Sequence, residues 1–155
     1  MRLSFSVPIA LVIAAALVGC SGDEKTAPEA LATIELGDGS AAAEVTVEIA
    51  DSTDERRRGL SGRSTLAPDQ GMLFVNEQDV TVGYHMKDTL IPLSLAFIAA
   101  DGSVVGLVDM EPCEADPCPV YEPPDAYRFG LEVNQGAFER WGIEPGDRLD
   151  LPVGG

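Results

Sequence analysis

Apolar and polar side chains alternate along much of the chain, with a period of two from Val45 onward. Val45-Thr46-Val47-Glu48-Ile49 puts every second side chain on one face, the pattern of a strand with one buried side. Val80-Thr81-Val82-Gly83-Tyr84 repeats the alternation and predicts another strand. Leu93 to Ala99 is almost continuously apolar, which suits a strand covered on both faces. Asp101-Gly102 is a turn signal, and Val104 to Val108 follows it, so this stretch predicts a β-hairpin. Tyr127 to Val133 and Arg148 to Leu151 predict two further strands. Within the first of these, alternation sets Glu132 on the face opposite Leu131 and Val133.

Two segments depart from this period. Asp51-Ser52-Thr53 offers capping side chains ahead of Asp54-Glu55-Arg56-Arg57-Arg58, which predicts a short helix. A second helix is predicted from about Asn134 to Trp141, stopping at Gly142. Many short strands with turn signals between them predict a mainly β fold. The expected form is a compact β-sandwich or a jelly-roll-like, partly closed barrel with one or two short helices.

The N-terminal pattern is of another kind. Arg2 precedes a 12-residue apolar run, Val7 to Val18, that ends in Leu17-Val18-Gly19-Cys20. Such a run is too short to span a bilayer, which takes about 20 residues, and reads as a secretory signal peptide. Leu-x-Gly-Cys resembles the bacterial lipobox, which implies that Cys20 becomes the lipidated first residue of the mature chain. The expected organisation is therefore a signal peptide over 1–19, an acidic flexible tether over 20–43 and a single β domain over 44–152. Thr33-Ile34-Glu35-Leu36 alternates within that tether, and a first strand there is the alternative. The expected location is the extracytoplasmic face of a bacterial envelope.

With Cys20 lipidated, two of the three cysteines remain. They lie in Pro112-Cys113-Glu114-Ala115-Asp116-Pro117-Cys118-Pro119, and in an oxidising compartment they predict a disulfide. A thiolate pair on a soft metal is the alternative.

Charge narrows the partners. The 26 acidic residues outnumber the 10 basic ones, a formal net charge of -16 that opposes general binding to nucleic acid. The expected partners are the membrane, through the Cys20 lipid, and an unknown small-molecule, glycan or protein ligand. No cofactor and no metal are expected. His85 is the only histidine, which excludes a multi-histidine zinc site, and Asp109, Glu111, Glu114 and Asp116 lack EF-hand spacing. Met86 and Met110, with His85 and Cys113, would suit copper(I), but methionines in β-patterned runs read as core. Ser61, Ser64 and Ser94 lie outside any Gly-x-Ser-x-Gly elbow.

The candidate ligand-binding residues are Arg56, Arg63, His85, Lys87, Thr89 and Glu132. Together they offer charge-assisted hydrogen bonds to an anionic or polyhydroxylated ligand. The plainer alternative is a structural network in which Lys87 or Arg63 pairs with Glu132. The chain thus reads as a non-enzymatic binding or interaction module. The competing reading is an envelope hydrolase acting on a glycan or ester, with Glu132 or His85 as acid or base.

Six motifs in order carry a resemblance. They are Glu55-Arg56-Arg57-Arg58-Gly59-Leu60 with Arg63, Gly71-Met72-Leu73-Phe74, His85-Met86-Lys87-Asp88-Thr89-Leu90-Ile91-Pro92-Leu93, Asp101-Gly102 before a valine pair, Leu131-Glu132-Val133-Asn134-Gln135-Gly136, and Gly142-Ile143-Glu144-Pro145-Gly146-Asp147. In this order and spacing the chain resembles domain-of-unknown-function family 192 from about Val45 to Leu151. The resemblance implies a mainly β domain of sandwich or jelly-roll type, often exported or lipid-anchored in bacteria, with no established activity. This chain departs from the family in having His85 where Trp or Phe is usual, Asp88 where Asn is common and Ser94 where Asp is common.

Overall fold

In a computed structural model of the chain, residues 31–36 and 43–152 are described. The elements run β1 (Leu31–Leu36), β2 (Ala43–Ala50), α1 (Thr53–Arg58), β3 (Gln70–Val80), β4 (Tyr84–His85), β5 (Leu93–Ile98), β6 (Val104–Met110), β7 (Val120–Tyr121), β8 (Tyr127–Asn134), α2 (Ala137–Trp141) and β9 (Leu149–Asp150). Seven strands form one curled sheet in the order β6-β5-β8-β3-β2-β1-β9, and β4 pairs with β7 in a separate ribbon. All pairings in the large sheet are antiparallel except β2 with β3. Parallel neighbours need a crossover, and α1 lies within it. The expected mainly β, partly closed barrel is present as a half-barrel, with a single large sheet in place of a two-sheet sandwich.

The curl is fastened at one end. Ser103 bridges Arg148, the Val104 N–H donates to the Asp147 carbonyl at 2.8 Å, and the Leu149 N–H donates to the Gly102 carbonyl at 2.9 Å. The two edge strands meet there, which removes part of the exposed edge. One core cluster draws residues from all seven strands of the sheet, including Ile34, Val47, Leu73, Ile98, Val104, Leu131 and Leu149, and α2 adds Phe138. The other face carries a second cluster built on Met72, Phe74, Leu93, Leu95, Phe97 and Met110, covered by loops and the β4–β7 ribbon.

Strand β1 corrects the domain boundary. Leu31–Leu36 pairs with β2 on one side and β9 on the other, so this part of the expected 20–43 tether belongs to the sheet, which begins before residue 44. Ile34 is fully buried, and its apolar anchor outweighs the polar composition around it. Residues 1–30, including Cys20, lie outside the described residues.

The expected strand over 80–84 is also corrected. β3 ends at Val80, no strand covers 81–83, and Tyr84 begins the short β4. β3 itself is 11 residues long, and its Met72-Leu73-Phe74 stretch is buried on both faces, so period two was masked there.

Helix α1 forms where its caps require. Ser52 accepts from the Glu55 N–H, and the Glu55 carboxylate accepts from the Ser52 N–H at 2.9 Å, a complete capping box. Acidic residues occupy its first turn and Arg56, Arg57 and Arg58 its last, as the helix dipole favours. Ser52→Ala should cost about 1 kcal/mol. The check is a lower unfolding midpoint in urea with an unchanged m-value. The second helix starts at Ala137, later than the predicted Asn134, because β8 runs through Asn134.

Candidate functional site

Strand β8 places Glu132 on the second face of the sheet, flanked by Met72 of β3 and Leu95 of β5. Leu131 and Val133 point the other way into the first cluster, as alternation requires. Glu132 is only 5% exposed. No hydrogen bond or ion pair reaches its carboxyl among the described residues, and burial alone pushes it up from the ordinary carboxyl range to about 8. No described polar side-chain atom is both sealed and unpartnered, so the Glu132 oxygens open onto space.

That space is a cavity of about 310 Å³. Glu132 and Thr89 lie at its base, and Phe74, Tyr84 and Tyr127 contribute aromatic walls. Tyr84 packs edge-on against Phe74 with ring centres 5.3 Å apart and against Phe97 at 5.9 Å. Burial raises the Tyr84 phenol well above its usual range, with nearby Tyr127 and Glu132 adding to the rise. The Tyr127 hydroxyl donates to the Val82 carbonyl at 2.7 Å. Gly130 makes room for this packing, since a Cβ there would stand 2.2 Å from the Tyr84 hydroxyl oxygen.

The rim is cationic. Arg56, Arg57 and Arg58 come from α1, and His85 and Lys87 come from the β4 segment. Arg56 is fixed by donating to the Asp51 carbonyl and, at 2.9 Å, to the Val75 carbonyl. The Lys87 Nζ donates to the Glu114 and Ala115 carbonyls at 3.4 Å and lies 3.9 Å from Asp88. Asp88 adopts the left-handed conformation with φ 59°, which Asn and Asp tolerate better than other L-residues.

Five of the six candidate residues therefore meet around one cavity: Arg56, His85, Lys87, Thr89 and Glu132. Arg63 does not line it and forms an ion pair with Glu48 of β2. The alternative pairing of Glu132 with Lys87 or Arg63 is absent, because Lys87 is drawn toward the Cys113 loop by a bridge between Lys87 and Cys113. Phe74, Asn76, Tyr84 and Tyr127 were missed by the sequence reading. The one local signal was Gly130, a glycine inside a strand two residues before the acid.

Cys113 and Cys118 form the expected disulfide, with Cα atoms 6.0 Å apart. It closes the loop whose carbonyls face Lys87. Protein purified without reductant should show no alkylatable thiol at these positions by mass spectrometry until reductant is added, and free thiols would contradict the pairing. Among the described residues no group of three His, Cys, Asp or Glu side chains is placed to hold a metal ion. Met86 and Met110 are buried in the second cluster. Ser94 donates to Asp109 and accepts from the Gly136 N–H at 2.8 Å, which ties β5 to the start of α2.

The fold and cavity define a class: a curled β half-barrel with an unpartnered buried carboxyl beneath a cationic rim. The profile of DUF192, described as an uncharacterized ACR, matches residues 28–151, and the chain belongs to this family. No curated protein matches it. The crystal structure of a Sinorhizobium meliloti 1021 protein, provisionally described as a transcription regulator, is similar at 34% identity and a TM-score of 0.73, covering 80% of this chain and 95% of that one. A Novosphingobium aromaticivorans DSM 12444 protein of unknown function is similar in fold at 24% identity and a TM-score of 0.72, covering 78% of this chain and 85% of that one.

Proposed function

We propose that this protein is a lipid-anchored binding module of the bacterial envelope whose β domain takes a small ligand in the cavity over Glu132. The observation that carries the reading is the Glu132 carboxyl itself. A buried ionisable group without a partner costs stability, and such groups cluster at working sites. The cavity lies at the small end of the ~300–1,000 Å³ typical of ligand sites, which suits a small molecule better than a polymer. The Leu-x-Gly-Cys sequence at 17–20 supports the anchor. The net charge of -16 opposes nucleic acid, so the description of the Sinorhizobium protein as a transcription regulator is not adopted.

Two experiments test the two halves. Cys20→Ala should move the protein from the membrane fraction to the soluble one. A thermal-shift screen of metals, sugars and envelope fragments should yield a ligand that raises Tm in proportion to the logarithm of its concentration. A screen without a hit would leave protein–protein contact as the remaining binding role.

The elevated Glu132 also favours a second reading, general acid catalysis near neutral pH on a glycan or ester. Glycoside hydrolysis, however, ordinarily uses two carboxyls, and among the described residues Glu132 is the one acid lining the cavity. His85 is exposed at the rim and receives the Lys87 N–H at 3.3 Å.

A further inference from the structure

We infer that the cavity takes a small organic anion, with its acidic head held by the rim cations and an apolar body laid against the aromatic wall. This rests on the binding reading above and specifies its ligand class.

The described lining of the cavity is enriched in cations relative to the molecule. Arg56, Arg57, Arg58 and Lys87, four of the chain's 10 basic residues, line it with one acid, Glu132. Arg57 and Lys87 lie 3.6 Å from Asp54 and 3.9 Å from Asp88, and such solvent-exposed pairs are weak enough to exchange for an anionic ligand. Guanidinium and ammonium groups hold carboxylate and phosphate through charge-assisted hydrogen bonds.

The base of the cavity fits the same ligand. A carboxyl whose protonation midpoint lies near 8 is neutral at pH 7, so Glu132 offers an O–H donor and no repelling charge. An ionised carboxylate in its place would exclude anions. Between base and rim stand Phe74, Tyr84 and Tyr127, whose rings accept an apolar or aromatic body. The volume of about 310 Å³ leaves room for a single-ring body and excludes larger frameworks.

The test uses the full-length protein in non-ionic detergent at pH 6.5. It is titrated calorimetrically with four probes sharing one ring: benzoate, phenyl phosphate, benzamide and benzylamine. Benzoate or phenyl phosphate should bind about tenfold or more tightly than benzamide, a difference of about 1.4 kcal/mol. The preferred one of the two assigns the head group as carboxylate or phosphate. The double variant Arg57→Gln with Lys87→Gln should lose about tenfold in affinity for that anion with little change in unliganded Tm. Glu132→Gln, which keeps an N–H donor at the base, should bind within a few-fold of wild type, and Glu132→Leu should bind markedly more weakly.

Equal binding of benzamide, or preference for benzylamine, would overturn the anion inference and leave the cavity a binding site. Failure of all four probes would also overturn it, while the broader ligand screen decides separately whether the cavity binds anything. Unchanged anion affinity in the Arg57 and Lys87 double variant would overturn the role given to the rim.

Discussion

Replacing Glu132 by glutamine will stabilise the protein in alkaline buffer and leave it almost unchanged in acid. The wild-type carboxyl titrates near 4.5 when unfolded and near 8 in the fold, because burial disfavours its charge. Between those values the folded state binds more protons than the unfolded one. Stability from this group is therefore fully present below about pH 4.5 and is lost as pH rises to about 8. At about 1.4 kcal/mol for each unit of separation, the loss amounts to something on the order of 5 kcal/mol. Glutamine has nearly the same shape and no titration, so its stability curve lacks that slope. Urea unfolding of both proteins at pH 5, 7 and 9 checks this. The two should nearly coincide at pH 5 and diverge at pH 9, where the variant's unfolding free energy should be higher by something on the order of 5 kcal/mol. Parallel curves would show that Glu132 has a partner in solution.

Gly130→Ala should destabilise by about 3 kcal/mol and, with Tyr84→Phe, show strong coupling. The added methyl would stand 2.2 Å from the Tyr84 hydroxyl oxygen and 2.9 Å from its Cζ. Tyr84 has no easy retreat, since Phe74, Phe97 and Tyr127 pack against its ring. Overpacking of this kind typically costs about 1–3 kcal/mol, and the rigid wedge places this site at the upper end. Removing the hydroxyl in Tyr84→Phe relieves the nearest clash. The double variant should then be more stable than the sum of the single changes by about 1 kcal/mol or more, read from a double-mutant cycle. Simple additivity would mean that the ring had already moved. The same substitution displaces a wall of the cavity, so ligand affinity should fall with it.

Local rules account for the elements whose pattern is set by one face. Val45 and Val47 turn inward while Thr46 and Glu48 do not, Ser52 and Glu55 cap α1, and the Asp101-Gly102 turn joins β5 to β6. Glu132 falls on the face that alternation assigns it. β3 was hidden because Met72, Leu73 and Phe74 are all buried, and a strand covered on both sides has no polar beat. Arg63 was misplaced because it lies in the loop after α1 and its partner Glu48 stands on β2, 15 residues back, a pairing that no local pattern announces. The aromatic wall was illegible for a related reason. Phe74, Tyr84 and Tyr127 come together only after β3 pairs with β8 and the β4–β7 ribbon folds over that face.

On the proposed anchoring, the stitching of β1 between β2 and β9 would limit how far the domain could travel from a membrane. If Cys20 carries the lipid, ten residues separate it from Leu31, where the sheet begins. Ten residues reach at most about 40 Å from anchor to sheet, whatever their conformation. A tether reaching residue 43 would have doubled the maximum. A domain of this size is itself roughly 30–40 Å across, so the leash is no longer than the body it holds. On that reading the cavity would sample only a thin layer above one leaflet, where the effective concentration of anything released at that surface is high. Ligands would be captured close to where they cross or leave the bilayer, and structures on the far side of the envelope would stay out of reach.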